Sequence, residues 1–287
     1  MDTKTFLETI LPRSGFIYIA RIRKAKGEGR KDQTIHTVAP DADEAAAKLL
    51  EWDRKYPDQN IYYAMASYHE VQHKTKTLDD GREFTYVVGR RQDNVKLVKS
   101  IWLDLDVGKE GCYATRQDAL VGLQAYYRAE GIPTPLIVSS GYGLHCYWVF
   151  TEAVSAQAWE EIARYQRAAW RHLGLLADPA CDRDAARVLR APGTRNKRDP
   201  TNPKMVKVVQ PKVAALPAPE IKRRLRKYVE DNNLSAHVVV DDRPDWLKGG
   251  VTGNITDAKV EYPDSFAKIA VEHCGQLRQF RETGMAH

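Results

Sequence analysis

The spacing of hydrophobic and polar positions separates strand-like from helix-like stretches along this chain. Runs of β-branched and aromatic residues predict buried strands at residues 16–23, 61–68, 97–106, 135–140 and 144–150. Apolar positions three and four residues apart predict helices at residues 41–56, 115–130, 155–173 and 217–229. Because strands and helices alternate over most of the sequence, we expect an α/β (α+β) fold.

Two stretches depart from this pattern. Residues 69–94 are polar, charged and rich in turn-forming residues around Asp79, Asp80 and Gly81, which is typical of a mobile surface excursion. Beyond Asn232 the pattern weakens, although residues 266–280 predict one more helix.

The predicted strand at residues 97–106 ends in Ile-Trp-Leu-Asp-Leu-Asp, an apolar run that carries two acids. Side chains alternate across a strand, so Asp104 and Asp106 project from the same face. Two neighbouring buried carboxylates repel each other unless a cation compensates, and oxygen ligands favour Mg²⁺ or Mn²⁺ over zinc. The pattern indicates a metal site for phosphoryl chemistry, and a strand end whose acids face water is the alternative.

Composition adds information about partners and location. The chain has 287 residues, 43% of them hydrophobic, and a net charge of +6, which favours a polyanionic partner such as nucleic acid. Its four cysteines lack the spacing of a zinc site or a disulfide framework, and no apolar run approaches the roughly 20 residues that span a bilayer. We therefore expect a zinc-free protein of the bacterial or host-cell cytoplasm that has no membrane partner.

A glycine-rich turn follows, Ser140-Gly-Tyr-Gly-Leu-His145. Gly141 and Gly143 allow the backbone to approach a phosphate closely, and His145 on the returning strand can donate to a phosphate oxygen. A tight hairpin needs such glycines for its own geometry, which is the alternative explanation.

Arginines follow Asp178 at short intervals. Arg187 and Arg190 flank an apolar pair, Val-Leu, in a predicted strand, so their guanidinium groups are directed and match a triphosphate or a nucleic-acid backbone. The next basic residues are predicted contacts to DNA, with a solvated basic loop as the alternative, and they are Arg195, Lys197 and Arg198.

These motifs occur in an order found in a known family. The acidic strand with Asp104 and Asp106, the hairpin ending in His145, and Asp178 followed by Arg-Val-Leu-Arg-Ala-Pro-Gly-Thr-Arg-Asn-Lys resemble the three motifs of the archaeo-eukaryotic primase superfamily. Within that superfamily the chain is most similar to the primase-polymerases of phages and plasmids. The motifs span residues 97–198, and their joint occurrence is much more specific than any one of them.

The resemblance implies a role for each motif residue. Asp104 and Asp106 would be ligands of two Mg²⁺ or Mn²⁺ ions, and Asp178, which precedes Arg190 by twelve residues, would be the third. Asp182 and Asp184 are rivals for that third position, and Asp184 is alternatively an ion-pair partner of Arg187 or Arg183. Besides a catalytic role for His145, the resemblance implies a set of nucleotide contacts, namely Ser140, Gly141, Gly143, His145, Arg187 and Arg190.

The resemblance also implies an architecture. Residues 1–215 would form the catalytic core, with an N-terminal lobe at residues 1–96 and a metal and nucleotide lobe at residues 97–215. The core would be built on a distorted, mixed sheet like that of RNA-recognition domains. Residues 216–287 would be a helical segment or a linker to a further module.

The implied activity is template-directed DNA synthesis in the replication of a phage- or plasmid-like replicon. Single-stranded DNA would be the template and dNTP or NTP the substrate, with a replicative helicase, joined to the chain or separate from it, as a further partner. Two alternatives stay open: a metal-dependent Asp-x-Asp glycosyltransferase, and a non-catalytic module that binds a replication origin or single-stranded DNA.

Overall fold

The computed structural model describes residues 1–23 and 32–235, and the helix predicted at residues 266–280 lies outside them. The described helices are α1 (Thr3–Ile10), α2 (Ala42–Lys55), α3 (Arg116–Ala129), α4 (Ala156–His172) and α5 (Ala218–Asp231). The described strands are β1 (Phe16–Arg23), β2 (Gln33–Ala39), β3 (Asn60–Tyr68), β4 (Gln72–Thr77), β5 (Glu83–Val88), β6 (Val95–Asp106), β7 (Leu136–Ser139), β8 (Gly143–Val154), β9 (Val188–Leu189), β10 (Arg195–Asn196), β11 (Lys204–Met205) and β12 (Lys207–Gln210).

Most of the described strands form one large sheet in the order β12-β7-β8-β6-β3-β1-β2-β5-β4, and β9 adds to β3 beside this path. The two halves of the sheet meet where β3 pairs with β6, over a short register at Ser67–Leu97 and Tyr68–Val95. The predicted α+β class is confirmed. The sheet was expected to be mixed, but each pairing between the described strands is antiparallel, because hairpins and long returns connect them.

Aromatic packing joins α4 to the strand that carries the two acids. The ring of Trp159 stacks on that of Trp102 with 4.7 Å between centroids, and both side chains are buried. Each indole also donates a hydrogen bond to a backbone carbonyl, at Ser100 for Trp159 and at Cys181 for Trp102. Such rings contribute buried apolar area without an unpaired polar atom, so they fix the distance between α4 and β6.

Helix α5 packs against α4 with its apolar face. Ile221, Leu225 and Val229 recur at helical spacing and are buried. Residues 216–231 therefore extend the packed core of the described part. No helix among the described residues is both long and apolar enough to cross a membrane.

Residues 69–94 form a β-hairpin of β4 and β5, followed by a short 3₁₀ turn (Gln92–Asn94), where the sequence predicted a mobile excursion. Its base is held by side chains: the Tyr18 hydroxyl contacts the carbonyls of Glu70 and Val88, and the Asn94 amide donates to the carbonyl of Glu70. The strands were not predicted because most side chains of the hairpin are exposed, and the charged, turn-forming residues around Asp79, Asp80 and Gly81 outweigh the few apolar positions of β5.

A buried ion pair joins α2 to the segment that follows β9 in the sequence. The Lys197 ammonium lies 2.9 Å from an Asp53 carboxylate oxygen and also donates to the carbonyls of Asp53 and Tyr56. The other Asp53 oxygen accepts from Arg195 Nε at 2.8 Å. Asp53 and Lys197 are almost fully buried, so each charge depends on the other for compensation.

Asp53→Ala should destabilise the protein by roughly 3–5 kcal/mol, the usual effect of leaving a buried charge unpaired. The free energy of unfolding in urea measures this loss, and Asp53→Ala/Lys197→Met should recover part of it. Asp58→Ala removes an exposed aspartate from the turn that follows the same helix and should change stability by less than about 0.5 kcal/mol. Equal stability of Asp53→Ala and Asp58→Ala would contradict the role of the ion pair.

Glu130, at the end of α3, is a buried carboxyl without a hydrogen-bond partner among the described residues. Burial disfavours its charged form and raises its pKa to about 8. The unfolded chain releases this proton at lower pH than the folded protein does. Stability should therefore fall as the pH rises from the ordinary pKa of about 4.5 to about 8.

Glu130→Gln should reduce this pH dependence, because the amide does not titrate. We expect the parent to lose roughly 1–3 kcal/mol of unfolding free energy, relative to the variant, between pH 5 and pH 8.5. Urea unfolding at the two pH values tests this, with Glu51→Gln, an exposed position on α2, as the control that keeps the parent's pH dependence. A variant that loses as much stability as the parent over this range would rule out Glu130 as the cause.

Candidate active site

The register between β6 and β8 brings the first two motifs together. Asp104 lies directly opposite His145, and Asp106 lies opposite Gly143. Residues directly opposite in an antiparallel pair share a face of the sheet, so both acids and the imidazole project to the same side. His145 Nε2 lies 3.8 Å from Asp104 Oδ1.

The glycines of the hairpin have a steric role that the structure makes clear. A Cβ on Gly143 would lie 2.4 Å from the Leu105 carbonyl oxygen, so only glycine lets β8 approach β6 here. Gly141 adopts φ +97°, the left-handed region that favours glycine, and a Cβ there would crowd Asn196. Ser140 is buried, and its carbonyl accepts a hydrogen bond from the Asn196 amide at 2.7 Å. Asn196, in the third motif, thus stabilises the glycine turn of the second motif by this hydrogen bond.

Of the candidate third acids, Asp178 is the one beside Asp104. Its backbone N–H donates to the Asp104 carbonyl oxygen at 2.8 Å, which anchors the loop after α4 to the acidic strand. Asp182 is buried elsewhere and accepts a hydrogen bond from Trp170 Nε1 at 2.9 Å. Asp184 lies 3.0 Å from the Arg187 guanidinium, the ion pair that the sequence offered as its alternative role.

Electrostatics at the site are dominated by neighbouring carboxylates, of which Asp106 is paired with Lys109. Burial and the charges of Asp106 and Asp178 raise the pKa of Asp104 to about 7, although Arg190 opposes this. Burial, with the charge of Arg190, lowers the pKa of His145 to about 3, so the imidazole is neutral and its contact with Asp104 is not an ion pair.

These side chains fit a hard divalent cation. Carboxylate oxygens are the ligands that Mg²⁺ and Mn²⁺ prefer, and a cation would relieve the repulsion that raises the pKa of Asp104. In the described part of the chain, however, no three Asp, Glu, His or Cys side chains stand together as a complete ligand set. The structure provides two acids on one strand face with Asp178 beside them, rather than a preformed site with three ligands.

Arg190 is held in place by residues of β3. Its Nε donates to Asn60 Oδ1 at 3.1 Å and its Nη2 to the Tyr62 hydroxyl at 2.8 Å, and the guanidinium lies 4.7 Å from the Tyr62 ring centroid. Its charge acts on the pKa values of Asp104 and His145, so it faces the same site. Sequence reasoning missed Asn60 and Tyr62 because no motif contains them.

The predicted DNA contacts separate into two groups. Lys197 is 3% exposed, and both it and Arg195 are bound to Asp53, so their charges are compensated within the fold. This geometry gives Lys197 a structural role instead of a contact with DNA, a correction that follows from the buried acid on α2. Arg198 stays at the surface, with its guanidinium 5.2 Å from the Tyr142 ring centroid.

Arg198 belongs to an open basic groove of about 520 Å³ beside the glycine turn. Two further basic residues line it, Arg116 at the start of α3 and Lys204 in β11, together with Tyr142. Arg116 and Lys204 could not be predicted as site residues from the sequence, since they lie in separate elements and the fold alone brings them next to Arg198.

No protein-family model matches this chain, and the search of curated proteins found no match. Among solved structures, two of the primase RepB′ are similar. One covers 76% of this chain and 59% of that protein at 15% identity with a TM-score of 0.43. The other, its catalytic domain in complex with initiator DNA, covers 81% and 98% at 14% identity with a TM-score of 0.47. These scores are too low to support an argument.

The archaeo-eukaryotic primase domain of the cyanophage S-2L primase-polymerase gives a higher score. The two sequences are 17% identical. The match covers 78% of this chain and 96% of that domain, with a TM-score of 0.52. At this identity the likeness concerns the fold. The chain therefore has the fold of an archaeo-eukaryotic primase domain, the family that its three motifs resemble.

Proposed function

We propose that this chain is a DNA primase-polymerase that joins nucleotides on a single-stranded DNA template during replication of a phage- or plasmid-like replicon. The observation that carries the proposal is the β6–β8 register, which sets Asp104 and Asp106 on one face with His145. The cyanophage protein whose fold the chain shares is named a primase-polymerase, which agrees with this assignment.

Asp104 and Asp106, with Asp178 beside them, would hold Mg²⁺ or Mn²⁺. Such ions, when bound, lower the pKa of an attacking 3′-hydroxyl and stabilise the pyrophosphate leaving group. The protein's own contribution is position and charge, since phosphoryl transfer needs no protein nucleophile.

His145 is suited to donate a hydrogen bond to the nucleotide triphosphate. The Tyr63 hydroxyl donates to that of Tyr147 at 3.0 Å, and Tyr147 lies 3.2 Å from His145 Nδ1. If Tyr147 donates in turn to Nδ1, the neutral ring carries its proton on Nε2, the nitrogen nearest to Asp104. The buried tyrosines would thus select the tautomer that presents an N–H to a phosphate oxygen.

Arg190 would supply the positive charge for the triphosphate, and its contacts with Asn60 and Tyr62 keep the guanidinium from moving away. Arg187 is engaged by Asp184 and would take part only after that ion pair opens. The fold comparison does not favour a glycosyltransferase. The fold alone does not distinguish a non-catalytic DNA-binding module from the enzyme, so a synthesis assay must separate the two.

Asp104→Ala/Asp106→Ala should abolish nucleotide incorporation on a primed single-stranded template with Mg²⁺ or Mn²⁺. Loss of groups that merely support metal ligands costs about 10–100-fold, so we expect at least roughly a 100-fold loss here. The variant should also lose Mn²⁺ binding, measured by electron paramagnetic resonance.

Asp58→Ala/Asp93→Ala, which removes two exposed acids, is the matched control and should keep both properties. Full synthesis by the active-site double variant would refute the catalytic assignment. A parent protein that binds DNA but makes no product would favour the non-catalytic module.

The three candidate third acids can be compared by single substitutions. Asp178→Asn should lower primer extension by about 10-fold or more, because its carboxylate would complete the metal site. Asp184→Asn should have a smaller effect, since that acid pairs with Arg187, and Asp182→Asn should mainly change stability. If Asp178→Asn extends primers as well as the parent does, the third ligand must be sought elsewhere.

A further inference from the structure

The β4–β5 hairpin stands at the edge of the large sheet. One residue pair, His36–Val87, joins it to β2, and most of its side chains are exposed. Its two strands pair with each other over their full length, from Gln72–Val88 to Thr77–Glu83. The hairpin is thus a regular two-stranded ribbon that extends from the core.

One face of this ribbon combines aromatic and basic side chains. Lys74 lies directly opposite Tyr86, and Lys76 lies opposite Phe84, so the four side chains project from the same side. Phe84 is 57% exposed and Tyr86 38% exposed, and their rings lie nearly parallel with 5.9 Å between centroids. We call these four residues the ribbon face.

Charges are segregated between the two sides of the ribbon. Lys74 and Lys76 are on the ribbon face, and neither forms an ion pair with any other residue in the ranges 1–23 and 32–235. Glu83 alternates to the other face, where a Thr75–Thr85 hydroxyl pair lies at 2.9 Å. Asp80 is at the tip and is paired with Arg82. The ribbon face is therefore positive, although the hairpin as a whole is not.

The fold does not account for this face. Phe84 and Tyr86 belong neither to the buried core nor to the side chains packed against it, so the two rings add little to the stability of the core. Surfaces that bind single-stranded nucleic acid combine these two features: aromatic rings on which bases stack, and cations that neutralise the adjacent phosphates. Unpaired bases have free π-faces, whereas bases in a duplex are already stacked.

The ribbon is also held firmly enough to serve as a platform. Tyr18 and Asn94 fix its base by hydrogen bonds to backbone carbonyls. After the 3₁₀ turn (Gln92–Asn94) the chain continues into β6, whose far end carries Asp104 and Asp106. The same strand thus connects the ribbon to the acids of the site.

We propose that the ribbon face of Lys74, Lys76, Phe84 and Tyr86 binds single-stranded DNA by stacking bases on the two rings and pairing phosphates with the two lysines. That this DNA is the template strand rests on the proposed function. The contact is sequence-tolerant, because every base offers a face for stacking.

The test measures the binding of a fluorescently labelled 20-nucleotide oligo(dT) by fluorescence anisotropy with the full chain. Phe84→Ala/Tyr86→Ala should weaken binding about ten-fold or more, the range expected when stacking on an aromatic ring is removed. Thr75→Ala/Thr85→Ala changes the same two strands on the opposite face and should bind within about two-fold of the parent. Thermal unfolding monitors the fold of both variants.

The lysines give a second, independent readout. Each phosphate contact to a single strand contributes about 0.7 to the slope of log affinity against log salt concentration. Lys74→Ala/Lys76→Ala should therefore reduce the slope by about 1.4, whereas the aromatic variant should leave it nearly unchanged.

The proposal would be overturned if Phe84→Ala/Tyr86→Ala, the aromatic variant, bound oligo(dT) as tightly as the parent does. It would also be overturned if this variant and Thr75→Ala/Thr85→Ala lost the same amount of affinity. A parent dimer that becomes monomeric in the aromatic variant, with DNA affinity unchanged, would identify the face as a protein interface instead. A primer-extension assay of the parent separates this inference from the proposed function. If the parent makes no DNA but the aromatic variant loses binding, the ribbon face stands and the proposed catalysis falls.

Discussion

The antiparallel register of β6 and β8 is the constraint on which the site depends. Because Gly143 lies opposite Asp106, the two backbones approach more closely than any side chain at that position would allow. The same register sets His145 opposite Asp104. A slip of one residue would turn these side chains to the other face, so one glycine secures both the pairing and the grouping of the polar residues.

Negative and positive charges occupy different parts of the site around β6 and β8. The acids favour the binding of a cation, and Arg190 favours the binding of an anion. Burial and the repulsion between the acids raise the pKa of Asp104, although Lys109 pairs with Asp106 and Arg190 opposes the shift. Arg195 and Lys197, which follow the third motif's Pro-Gly-Thr, are instead bound by Asp53 on α2. Arg190 is held by hydrogen bonds to Asn60 and Tyr62, and its charge opposes the rise in the pKa of Asp104, so its position matters more than the number of basic residues nearby.

Local patterns predicted most of the fold and part of the site. Runs of apolar, strand-forming residues revealed β6 and β8, and the motif order placed Asp104, Asp106 and His145 in one region, where the structure has them together. Contacts distant in sequence were not predictable: Asn60 meets Arg190 and Asp53 meets Lys197 only because β9 adds to β3 and α2 packs nearby. A single sequence carries no local signal for such pairs.

The β4–β5 hairpin was missed for a related reason, and that reason bears on its role. Edge strands need protection from pairing with other chains, and exposed lysines provide it, so Lys74 and Lys76 alone would be ordinary for a sheet edge. Phe84 and Tyr86 act in the opposite direction, since exposed aromatic residues on an edge favour association. A pair of exposed rings that neither packs on the core nor protects the edge favours a partner that binds there, and the charge of the lysines favours a negative one.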